Sequence, residues 1–109
     1  MILAWPDVLK SPADVKNVSL DWTSLLPAGT LAIASHSVAV DVESLSGSGY
    51  GDFIPIGMGG VSALDKGVSG LVQTIQISGG NLDSYSVVFA TAGLADGTQL
   101  TRCFKVLVR

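Results

Sequence analysis

His36 and Cys103 are the only histidine and the only cysteine in the 109 residues, and they set the limits on catalysis. A histidine-based metal cluster needs several ligands at short spacing, and no carboxylate lies near His36 at such a spacing. A Ser-His-Asp site would have to join His36 to one of the many serines and aspartates. Ser48 does sit between Gly47 and Gly49, but its loose flanks offer no strand-turn-helix elbow for a nucleophile. His36 therefore reads as a partly exposed strand residue rather than a base. Gly57-Met58-Gly59-Gly60 lacks the Lys-Ser/Thr that a phosphate loop requires. Asp41, Asp52, Asp65, Asp83 and Asp96 are expected in turns, where they cap and bend backbone, and no Asp-x-Asp run suggests calcium. Cys103, with only Arg102 and Lys105 as basic neighbours, reads as a small packing residue. These readings predict a protein that is not an enzyme and uses no cofactor and no metal.

The residues with most to offer a partner are apolar. Tyr50, Phe53 and Met58 fall in a glycine-rich stretch and could contact a protein or a sugar, since aromatics on loops often serve recognition. Ile2, Leu3 and Trp5 lie in a segment that Trp5-Pro6 and Ser11-Pro12 keep extended. They are read as an arm (residues 1–14) that docks on a neighbouring subunit or packs back on its own domain.

The elements that must position these side chains are strands. Leu71–Ile77, Tyr85–Thr91 and Leu100–Val108 each present alternating rows, with Ile75 and Ile77 on one, Tyr85, Val87 and Phe89 on the next, and Leu100, Phe104, Val106 and Val108 on the third. The three are expected to share a sheet, the last two joined by an Asp96-Gly97 hairpin turn. Val18, Leu20 and Trp22 mark an earlier strand, with Trp22 as a core anchor. From Thr30 to Val40 the apolar phase shifts, which predicts a β-bulge near Ser35-His36-Ser37. Residues 61–68 suit a helical turn or a short strand. The sum is an all-β, antiparallel, immunoglobulin-like sandwich of six or seven strands, one domain over 15–109 with a glycine-rich loop region at about 42–70.

Composition agrees. Apolar residues make up 48%, which argues against disorder, and the net charge of −3 comes without a Lys/Arg cluster, which argues against a nucleic-acid surface. One cysteine rules out an intrachain disulfide framework. The N-terminus has no basic region followed by a long apolar run, and no stretch is long and apolar enough to suggest a membrane span. The expectation is a chain made in the cytoplasm with neither nucleic acid nor membrane as partner.

Several stretches resemble the small virion proteins of tailed bacteriophages and prophages known as fiber-tail adaptors, of the connector type. They are Lys10-Ser11-Pro12-Ala13-Asp14-Val15, Leu20-Asp21-Trp22, Leu25-Leu26-Pro27-Ala28-Gly29-Thr30 and Ile33–Val40. Ile77-Ser78-Gly79-Gly80, the Asp96-Gly97 hairpin and the ending Arg102–Arg109 carry the strongest likeness. Two departures stand out: residues 42–70 look longer than the family's middle, and Val38 stands where a tryptophan is common. The resemblance implies a non-enzymatic adaptor, made in a bacterial host and carried in the virion. It would join tail, connector or fiber proteins to one another, as a homo-oligomer in some assemblies. No active site comes with it.

Overall fold

Short runs rich in β-branched residues, punctuated by glycine, favour sheet over helix. The computed structural model describes residues 3–40 and 59–109. These residues form seven strands and no helix: β1 (Val8–Lys10), β2 (Lys16–Asp21), β3 (Ser35–Val40), β4 (Val61–Ser69), β5 (Val72–Gly79), β6 (Ser84–Gly93) and β7 (Gln99–Val108). The first sheet runs β1-β7-β6-β3 and the second β2-β5-β4.

Every pair is antiparallel except β1 with β7, which run parallel from Val8↔Val106 to Lys10↔Val108. The wholly antiparallel expectation fails there because the two strands are remote in sequence and no tight turn dictates their direction. The β6–β7 hairpin forms as expected, from Ser84↔Val108 to Gly93↔Gln99. Asp96 Oδ1 accepts the Thr98 N–H at 2.9 Å in its turn, and Gly97 supplies a φ of 92°.

The strand that starts the C-terminal third does not join this hairpin. It is β5, paired with β2 and β4 in the other sheet. The crossing between sheets is made after Gly79 and Gly80 (φ 71° and 114°) and through Asp83 (φ 60°), so the chain changes layer instead of folding back in plane. Residues 61–69, ambiguous in sequence, are a full strand closed on β5 by the turn at Gly70-Leu71. The bulge expected near Ser35–Ser37 is absent: β3 begins only at Ser35, and its register with β6 is unbroken. Leu31, whose parity suggested the shift, precedes the strand and is 88% exposed. The bulge lies instead in β4, between Asp65 and Gly67.

The core lies between the sheets. Leu20, Ile75 and Ile77 from one side meet Val88, Ala90, Ala92, Phe104, Val106 and Val108 from the other, with Trp22 fully buried just beyond β2. Val87, Phe89 and Cys103 belong to the opposite face of the first sheet and are buried as well.

Candidate functional site

The inward rows of β3, β4 and β5 are apolar until they reach one end of the sandwich, where each carries a polar residue. On β3 the row is Val40, Val38, His36; on β4 it is Val61, Ala63, Asp65; on β5 it is Ile77, Ile75, Gln73. The three meet. His36 Nδ1 lies 2.5 Å from Asp65 Oδ2, which also accepts from Gln73 Nε2 at 3.1 Å. Gln73 Nε2 reaches the Ser37 carbonyl at 3.4 Å, and Gln73 Oε1 accepts from Trp22 Nε1 at 3.1 Å. The Gln73 amide is fully buried, and its oxygen and nitrogen both have partners, as burial demands.

The β4 bulge aims the carboxylate. Gly67 (φ 111°) donates its N–H to Asp65 Oδ1 at 2.9 Å, a closed loop that an L side chain would strain. Burial raises the Asp65 pKa, but hydrogen bonds from His36, the Gly67 backbone and Gln73, with the attraction of the imidazole, outweigh it and hold the carboxyl below its usual range. An ionised Asp65 can only accept, so His36 Nδ1 carries the proton.

This is a carboxylate-oriented imidazole, with its side chain 33% exposed. Among the described residues no serine, threonine or cysteine hydrogen-bonds the ring, and no three metal-ligating side chains come together. What the arrangement does is tie: β3 and β4 are edges of opposite sheets, and the pair spans them. Asp65 was expected in a turn. It sits on a strand, on the inward parity of Val61 and Ala63, and that parity is the signal that would have revealed it.

The other open side is tied by lysines. Lys10, 3% exposed on β1, donates from Nζ to the carbonyls of Ser11 and Gly79, the latter in the second sheet. Lys16 on β2 donates to the Leu9 carbonyl at 2.6 Å.

Of the predicted contact residues, Leu3 pairs parallel with Cys103 and is 47% exposed, while the next amide, Ala4 N–H, donates to the Cys103 carbonyl at 3.0 Å. Trp5 packs on its own domain, edge-on to Trp22 (5.0 Å between centroids) and to Phe104 (6.3 Å). Its Nε1 donates to the Asp21 carbonyl at 3.3 Å. Ile2, Tyr50, Phe53 and Met58 lie outside the described residues.

No family model matches this chain, and no curated protein or solved structure is significantly similar to it.

Proposed function

We propose that this chain is an immunoglobulin-like, non-enzymatic adaptor of a tailed-phage or prophage virion, joining tail, connector or fiber components by protein-protein contact. The immunoglobulin-like reading is supported by strand order. β2-β5-β4 follows the B-E-D order of such domains, β7-β6-β3 follows G-F-C, and β1 runs beside β7. One observation carries the adaptor reading. The stretches that resemble fiber-tail adaptors, 10–40 and 71–109, supply β2, β3, β5, β6 and β7, the frame of both sheets. A two-layer frame with strand edges at its sides suits lateral attachment to neighbours, because an edge offers backbone donors and acceptors to another chain.

The test is genetic. An in-frame deletion in the genome that encodes the chain should give particles lacking a tail or fiber component, restored when the protein is supplied in trans. Intact, infectious particles from the deletion would rule the adaptor role out.

A further inference from the structure

At the end of β1 lies a cleft of about 240 Å³, lined by Leu9, Lys10, Ser11, Asp14 and Arg109. Backbone bonds fix its walls. The Arg109 N–H donates to the Lys10 carbonyl at 2.9 Å, and residues 11–14 close a turn in which the Asp14 N–H donates to the Ser11 carbonyl at 3.0 Å. Asp14 Oδ2 accepts the Ser11 N–H at 2.9 Å in return. The chain carries a net charge of −3, yet three of its six Lys/Arg residues, Lys10, Lys16 and Arg109, gather here. Lys10 is 3% exposed, and its ammonium gives two of three donors to the Ser11 and Gly79 carbonyls. Lys16 brings its ammonium to the Leu9 carbonyl at 2.6 Å. The Arg109 guanidinium has no hydrogen-bond or ion-pair partner among the described residues, where the one ion pair is His36–Asp65. Asp14 is the single carboxylate in the lining, so positive charge is in surplus.

We propose that this cleft binds a carboxylate, the side chain of an acidic residue presented by a partner protein. A guanidinium fork matches the two oxygens of a planar carboxylate, and Arg109 has its fork unfilled. The third Lys10 N–H and the Ser11 hydroxyl add donors, and the charge of buried Lys10 is screened less than that of a surface lysine. Leu9, exposed beside them, offers an apolar wall to the methylenes of a glutamate. Asp14 sets the class of anion. Its own charge opposes a phosphate dianion more strongly than a carboxylate of single charge.

The inference does not depend on the virion reading, because the purified full chain tests it alone. In an amide NMR titration, N-acetylglutamate amide should give saturable shifts at Leu9, Lys10, Ser11, Asp14 and Arg109, and its neutral isostere N-acetylglutamine amide should not. Inorganic phosphate and acetate should both bind more weakly than the glutamate amide. Arg109→Gln should weaken binding about threefold, whereas Asp14→Asn should tighten it about threefold by removing the opposing charge. Lys66→Gln, on the exposed bulge of β4, should change nothing, and the amide spectrum of each variant shows whether the fold is intact. Equal shifts with the glutamine amide, or none with the glutamate amide, overturn the proposal. Tighter binding of phosphate overturns the class of anion, and acetate binding as tightly as the glutamate amide overturns the partner side chain in favour of a free small acid. Weaker binding by Asp14→Asn also overturns it, since a lost structural contact and not a lost repulsion would then explain the change.

Discussion

Gln73 is the residue on which the polar end of the sandwich turns. It is fully buried and bonds Trp22, Asp65 and the Ser37 backbone at once, so an apolar replacement orphans a buried indole N–H and removes a donor from Asp65. Gln73→Leu should lower unfolding free energy by about 1–3 kcal/mol, read as an earlier urea midpoint with an unchanged slope. Asp65 carries the pH dependence. Its folded pKa is depressed, so its stabilisation is complete above the usual carboxylate range and is lost as pH falls through the lowered value. Asp21 and Asp96, lowered by bonds to Thr23 and Thr98, act in the same direction from exposed positions. Asp65→Asn should therefore flatten the acid limb of a urea-midpoint profile taken from neutral pH to about pH 3. At this scale the sequence was legible for Trp22 and for a part-exposed His36. It was not legible for the pairing itself, because His36 and Asp65 are 29 residues apart and only the stacking of two sheet edges brings them together. Gln73 stood in the open on the row of Ile75 and Ile77, and a lone amide on an apolar row was the available signal.

Among the elements, β1 and β4 hold most of what the residue patterns concealed. β1 is three residues long with no alternation to read, and its strand character comes from β7 alongside it. Trp5 fastens the segment before it against Trp22 and Phe104. Trp5→Ala should cost about 2 kcal/mol, since a half-buried ring forfeits part of what full burial gives, and a thermal melt measures it. The same packing means that removing residues 1–9 takes away core contacts together with any arm. β4 hid because Lys66 and Gly67 break its alternation at the bulge. Gly67→Ala would place a Cβ on a φ of 111° and should destabilise the domain by about 1–3 kcal/mol although nothing lies close to the added carbon. The β6–β7 hairpin was legible for the converse reason: both strands are long, regular and joined by Asp96-Gly97.

For the whole molecule, all-β character and a two-layer core follow from composition and alternation, whereas the assignment of strands to sheets does not. Leu71–Ile77 looked like a neighbour of the hairpin, yet the turn at Gly79-Gly80 carries the chain across to the other layer. Sequence adjacency is a weak guide wherever paired glycines with positive φ permit a change of layer. The sandwich that results is tied across both open sides, by His36–Asp65 and Gln73 at one and by Lys10 and Lys16 at the other. Such ties suit a rigid connecting piece that is held from several directions. The most direct test of the proposed adaptor role is quantitative peptide mass spectrometry on virus particles purified from cultures of the organism that encodes the chain. The adaptor account predicts the protein in intact particles at a small fixed ratio to the tail proteins. Its absence from those particles, with the protein left free in the lysate, would contradict the account.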